Sequence, residues 1–517
     1  MPTQARKFYI TTAIDYVNAA PHIGTAYEKV AADFIARSRR LMGYDTRFLM
    51  GNDEHSVNVA RAAADQGLSP HDYCDRMEGK FREVWEHLEI SFDDFVRTTQ
   101  PRHRHAVRAI FEAIHAAGDI YKGKYEGYYC ESCEAFKQEK ELAGGKCPIH
   151  KREPTWLVED NYFFALSRFQ DRLRRHIQEH PEFVQPQIRR NEVLNVVEGG
   201  LEDISVSRSG VEWGIPLPID HSQVVYVWFD ALINYISALE FPDDPHGLVE
   251  RYWPCDLHVI GKDITRFHCI IWPAMLLSAG IPLPRSVWAH GFVSVSGERL
   301  SKSLGNVIPP RDATARFGVD GFRYLFLHEV PFNRDGDFSW ATYTERYNAD
   351  LANDLGNLLS RTLAMVKRYC GSEVPALDTC DARDKPLLDV LEKAVRDYLS
   401  QLEEFTIHGA LASVWTTIQT ANRYIEENKP WELAKRPEER GRLECVLRNL
   451  LEVLRHVSIM IYPAMPAKAV EMRKQLGLPH DFSELRYASE LQLGVREWSR
   501  VEPGAGLFPR LEAAANG

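Results

Sequence analysis

Between residues 8 and about 117, short apolar runs such as 8–13 and 46–50 alternate with longer segments of helical period such as 27–41. That alternation predicts a parallel sheet flanked by helices. The pattern breaks over residues 118–223, where turn residues, a cysteine cluster and stretches such as Gly199-Gly200 and Trp213-Gly-Ile-Pro-Leu-Pro appear. This segment reads as an inserted module. The alternation resumes with apolar runs at 224–229, 256–260 and 287–292, so one doubly wound (Rossmann-type) α/β sheet is expected from two parts of the chain, residues 1–117 and 224–343. From about residue 344 the strand signals fade, and helical periodicity continues to about residue 476, which predicts a C-terminal α-helical bundle. The tail from Trp498 carries Pro and Gly and is expected to wrap over the surface.

With 517 residues, 44% of them hydrophobic, the chain can bury several cores, and its 26% charged residues fit an ordinary soluble protein. No apolar run is long enough to span a membrane, and the N-terminus lacks the zones of a signal peptide. A cytoplasmic protein is the expectation. The net charge of -11 offers no global attraction for nucleic acid, so an RNA partner has to be met locally. Three of the nine cysteines fall between Cys130 and Cys147, which suits a metal site in a reducing compartment better than a disulfide framework. Cys130-x2-Cys133, thirteen residues, then Cys147-x2-His150 has the spacing of a tetrahedral zinc site. Gly144-Gly145 and Pro148 supply the turns. Four protein ligands predict one structural Zn2+, because a catalytic zinc keeps a position open.

Two polar segments border the sheet halves. In the first, Asp15-Tyr16-Val17-Asn18-Ala19-Ala20-Pro21-His22-Ile23-Gly24-Thr25 leads from a strand into a helix. Such a junction offers unpaired N–H groups and the positive end of a helix dipole to phosphate, and Gly24 permits close approach. Read alone, His-Ile-Gly is a weak signal, and in most chance occurrences such a His22 merely caps a helix. The second, Arg299-Leu300-Ser301-Lys302-Ser303, carries a cation and two hydroxyls suited to a departing pyrophosphate. On the helix after residue 344, Leu351, Leu355, Leu358, Leu359, Leu363 and Val366 form one stripe, and Asn357 and Arg361 project roughly 130 to 170 degrees from its centre. That pair could read unpaired bases, and Trp431 could stack on one.

The two segments resemble the His-Ile-Gly-His and Lys-Met-Ser-Lys-Ser signatures of class I aminoacyl-tRNA synthetases. Thr25 replaces the second His, and Arg299-Leu300 replaces Lys-Met. Tyr226-Val-Trp228-Phe-Asp230-Ala231-Leu232-Ile-Asn-Tyr235 is similar to a stretch of the methionyl-tRNA synthetases, as are Gly51-Asn-Asp53-Glu54-His55, Gly261-Lys262-Asp263-Ile264, His268 before Trp272-Pro273, and Asn428-Lys-Pro-Trp431. The resemblance implies ATP entering with Mg2+, L-methionine and tRNA(Met) as partners, and an anticodon-binding domain over residues 344–517. It implies catalytic and ATP-binding roles for His22, Gly24, Thr25, Ser301, Lys302 and Ser303, with the Thr25 hydroxyl donating to phosphate. It implies a methionine pocket of Ile14, Tyr16, Asp53, Trp228, Ala231, Leu232, Tyr235, Ile264 and His268, in which Asp53 receives the ammonium and the aromatic rings surround the thioether. Asn357, Arg361 and Trp431 match its anticodon contacts. The insertion is too small for a hydrolytic editing domain. Without a further C-terminal module, a monomer is expected. A cysteine-activating synthetase and a synthetase-like protein without catalysis are the alternative readings.

Overall fold

The computed structural model describes residues 6–131, 135–137, 139–148, 151–300, 307–376, 382–494 and 498–512. Its main sheet is parallel, and the central strand is Lys7–Thr12. On one side of that strand lie Asp45–Asp53 and then Asp94–Arg97; on the other lie Leu257–Gly261, Val287–His290 and the edge strand Val184–Gln185. The chain builds outward in one direction before the insertion and in the other after it, where the insertion's own Val184–Gln185 closes the far edge. Strand order therefore reverses between Lys7–Thr12 and Leu257–Gly261, and a crevice opens at the carboxyl ends of such a pair.

Strand burial explains the apolar runs. Tyr9, Ile10, Phe48, Leu49, Met50, Leu257, Val259 and Ile260 are fully buried, as both faces of a helix-covered parallel sheet require. The helix Ile23–Leu41, which connects the first two main strands, departs from the expected amphipathic form, for it buries Glu28, Lys29, Asp33 and Arg39 as well as its apolar side. For Asp33 and Arg39 the partners lie far along the chain, Arg39 pairing with Glu403 at 2.7 Å. Arg323 ion-pairs with Asp33 at 2.6 Å and donates to the carbonyls of Leu88, Pro463 and Ala464, so the helical region closes over the helix's polar side.

The insertion is more closely joined to the sheet than its composition suggests. Its own antiparallel sheet pairs Ile120–Cys130 with Thr155–Phe164 over ten residue pairs, and Ala135–Lys137 and Ile204–Ser205 flank them. Val184–Gln185 then adds to the main sheet, and Phe183, Val184, Val193 and Val197 share the core that holds Tyr235 and Trp272. Two strand residues are too few to register as periodicity.

Beyond Trp340–Arg346 the chain runs through a π-helical stretch, Tyr347–Gly356, into Asn357–Cys370. The leucine stripe from Leu351 to Val366 is buried as predicted, and Lys385–Glu403, Ile407–Asn428 and Arg440–Met460 complete the bundle. The tail is anchored rather than merely draped, with Val501 and Leu507 buried and Leu511 exchanging backbone hydrogen bonds with the Asn348 side chain.

Candidate active site

A cleft of about 1120 Å³ opens at the switch point. Ile14, Tyr16, His22, Gly24, Thr25, Asp53, Trp228, Ala231, Leu232, Tyr235, Ile264 and His268 all line it, together with Leu300 from the second signature segment. Register accounts for part of this meeting. Asp15–Tyr16 pairs with the carboxyl end of Asp45–Asp53, which sets Tyr16 beside Asp53.

At the mouth of the first helix His22 caps, and Thr25 completes the motif. His22 Nδ1 accepts from the Gly24 and Thr25 amides at 3.1 and 3.3 Å. An accepting Nδ1 leaves the proton of the neutral ring on Nε2. The Thr25 hydroxyl accepts from the His22 amide and donates to the His22 carbonyl at 2.8 Å. Its single proton goes to the cap in this structure. Gly24 is needed for space: a Cβ there would stand 3.0 Å from the His22 ring and 3.0 Å from Leu300 Cδ1, so the two signature segments touch across this glycine.

The amino-acid side of the cleft is neutral and aromatic. His268 sits on a π-helical turn, Phe267–Ile271, a widened turn of the kind found at functional sites. Its Nδ1 lies 3.0 Å from the Ile264 carbonyl, which can only accept; Nε2 therefore accepts from the Tyr235 hydroxyl at 2.6 Å. Burial pushes the His268 pKa down to about 4, keeping the ring uncharged at neutral pH. Trp228 stacks on Phe267 at 3.9 Å and meets Tyr16 edge-on at 5.9 Å. Asp53 is the nearby acid, 3% exposed at the end of its strand.

Two buried polar groups beside this pocket were given no role by the motif reading, which quoted Asp15, His55 and Asp230 but not Glu28, Lys29, His103 or His290. Lys29 donates to the Ala13 carbonyl at 2.8 Å and pairs with Asp15 and Glu28, while Glu28 Oε2 lies 3.2 Å from His290 Nε2. Burial lifts the Asp15 pKa to about 6 against the pull of Lys29; burial also opposes the charge on Glu28, but Lys29 and His290 outweigh it and hold its pKa down. The second group joins Asp230 to His55 and His103. Despite full burial, these histidines hold the Asp230 pKa down, at about 2.

Ser301, Lys302 and Ser303 lie outside the described residues, as do Cys133 and His150. Of the expected metal ligands, Cys130 ends the strand Ile120–Cys130 and Cys147 follows a turn made by Gly144 and Gly145, both at positive φ. Both thiol-bearing residues are buried, and backbone hydrogen bonds tie Cys147 to Lys151 and Arg152. Buried sulfur donors on a strand end and a tight turn fit zinc ligation. In the bundle, Asn357 is exposed and Arg361, on the same face, pairs with Glu426 at 2.6 Å. Trp431 is half-buried after Pro430.

A family model described as class I tRNA synthetases (M) matches residues 8–155 and 138–363, and one for the anticodon-binding domain of methionyl tRNA ligase matches 374–496. The methionine–tRNA ligase of Caldanaerobacter subterraneus subsp. tengcongensis is 45% identical over 98% of this chain and 79% of its own length. That of Synechocystis sp. is 42% identical over 98% of each chain. Among solved structures, Mycobacterium tuberculosis methionyl-tRNA synthetase in complex with methionyl-adenylate superposes with a TM-score of 0.94 at 41% identity, covering 98% of this chain and 100% of that one. With its cleft at the switch point, its helical C-terminal region and this similarity along nearly its whole length, the chain belongs to the methionine–tRNA ligases of the class I tRNA synthetases.

Proposed function

We propose that this cleft joins methionine to ATP and passes the methionyl group to tRNA(Met), using the residues named above. The observation that carries the assignment is the meeting of all nine expected methionine-pocket residues with His22, Gly24 and Thr25 in one cleft. The methionine carboxylate attacks the α-phosphate, pyrophosphate leaves with Mg2+, and a ribose hydroxyl at the 3′ end of the tRNA then displaces AMP from the acyl carbon. No protein nucleophile takes part. Rate comes from holding the reactants together and stabilising the charge that gathers on phosphate. His22 Nε2 serves the α-phosphate, Gly24 lets the nucleotide come close, and Thr25 orients His22; Ser301, Lys302 and Ser303 serve the leaving pyrophosphate.

Asp53 takes the substrate ammonium. The side chain enters among Ile14, Tyr16, Trp228, Ala231, Leu232, Tyr235, Ile264 and His268, and the neutrality of His268 favours a thioether, which is polarisable but carries no charge. Cys130, Cys133, Cys147 and His150 would hold one zinc ion, with a structural role, since four protein donors would leave no coordination site for substrate. Asn357, Arg361 and Trp431 read the anticodon, with Arg361 exchanging Glu426 for RNA. No described helix is long and apolar enough to cross a membrane.

Trp431→Ala tests the division of labour. Loss of base stacking, worth about 1–3 kcal/mol, lowers kcat/KM for tRNA(Met) by roughly ten- to hundredfold and leaves methionine-dependent pyrophosphate exchange intact. Unchanged charging of tRNA(Met) would contradict the anticodon assignment.

A further inference from the structure

The helix Val227–Leu232 forms a wall of the cleft with Trp228, Ala231 and Leu232, and its Asp230 points away from the cleft into the protein. Asp230 is fully buried, and both of its oxygens are taken. Oδ2 lies 2.8 Å from His55 Nδ1, and Oδ1 lies 2.6 Å from His103 Nε2. His55 stands two residues beyond Asp53. His103 belongs to the helix Pro101–Ala116, and its Nδ1 lies 2.8 Å from the hydroxyl of Ser237, a residue of the helix Asn234–Ser237 that carries Tyr235. One carboxylate thus connects the loop bearing the candidate ammonium acceptor, a supporting helix, and the wall of the side-chain pocket. Phe111, on the supporting helix, meets Phe229 edge-on at 6.0 Å and backs the same wall.

We propose that His103, acting through Asp230 and His55, is a positioning residue for methionine: the buried clamp sets the distance between Asp53, which takes the ammonium, and the Trp228–Ala231–Leu232 wall, which takes the side chain. The inference rests on the assignment of methionine to this pocket. A bound amino acid is held at two ends, so its affinity depends on the spacing of the two sites. Two short charge-assisted hydrogen bonds on one buried carboxylate fix that spacing more tightly than apolar packing does. None of the three side chains has to touch substrate, and a displacement of about 1 Å is enough to cost on the order of a hundredfold in rate. ATP, held at the helix mouth around His22, does not depend on this spacing.

The test is steady-state pyrophosphate exchange, with KM for methionine and for ATP measured on the full-length chain carrying His103→Ala, His103→Gln or His103→Asn. Gln carries its amide nitrogen to the place of Nε2 and can still donate to Asp230; Asn carries it to the place of Nδ1 and cannot. The clamp predicts that His103→Ala and His103→Asn raise KM for methionine at least tenfold with KM for ATP within twofold, and that His103→Gln stays within about threefold of the parent in both. If His103→Ala does not fold, the comparison of Gln with Asn decides. Equal values for Gln and Asn, or a rise shared equally by methionine and ATP, overturn the proposal. Trp228→Ala, run alongside, separates the two levels: no change in its KM for methionine would remove the pocket assignment itself, whereas a rise there with no effect at His103 would remove only the clamp.

Discussion

His268 combines burial with a neutral hydrogen-bond chain. Its Nδ1 proton goes to the Ile264 carbonyl and its Nε2 takes the Tyr235 proton, so a second proton would displace the tyrosine hydrogen bond. The unfolded chain protonates this ring near pH 6.5, the folded protein near 4. Its contribution to stability is therefore present above about pH 6.5 and is lost as the pH falls through 4, a span of about 3 kcal/mol. His268→Gln, which cannot titrate, is expected to flatten the fall in thermal midpoint between pH 6.5 and 4, as followed by circular dichroism. Parallel curves for parent and variant would contradict the neutral, buried ring. The pocket residues are also where the sequence is most legible. Trp228, Ala231, Leu232 and Tyr235 lie within eight positions of one another, and a contiguous stretch shows its composition without any knowledge of the fold. Thr25 marks the limit of that legibility: its hydroxyl was readable as a donor, but its commitment to the His22 carbonyl depends on the cap geometry.

At the scale of elements, short strands beyond the main sheet hold Glu298–Arg299, the stretch that leads into the second signature segment. Val293–Val295 pairs with Gly336–Phe338 and with Glu298–Arg299, and Lys262 pairs with Asp335, which also accepts from the Phe292 amide. Gly291 permits this approach, since a Cβ there would lie 2.2 Å from the Arg334 carbonyl carbon and 2.5 Å from the Asp335 amide. Backbone cannot yield as a flexible side chain does. Gly291→Ala is expected to destabilise the protein by about 2 kcal/mol or more in urea titration and to lower pyrophosphate exchange at least tenfold. A variant with parental stability and exchange would show that the segment is not held in this way. The α/β alternation, the helical bundle and the leucine stripe were readable because each is a local period. His103 and the edge strand Val184–Gln185 were not. His103 acts through a partner 127 positions away, and two strand residues carry no period.

In the whole molecule, function depends on separate regions being held to one frame. Arg323 joins the first helix of the sheet region to the carbonyls of Pro463 and Ala464 in the helical region. The insertion has its own hairpin to hold. One zinc ion per chain is expected by elemental analysis; Cys147→Ser should reduce that occupancy severalfold and speed proteolysis within residues 118–165, because ligand loss frees the hairpin. Full occupancy in the variant would contradict the ligand set. Composition gave no hint of RNA, and the reason is visible at this scale, for the candidate RNA contacts Asn357, Arg361 and Trp431 occupy a small part of a surface whose net charge is negative. Activation of methionine by the cleft is tested by exchange of labelled pyrophosphate into ATP, run with methionine and with each other standard amino acid, including cysteine. Exchange with methionine is expected at least a hundredfold above any other; exchange with a different amino acid, or with none from folded, zinc-loaded protein, would show that the cleft does not activate methionine.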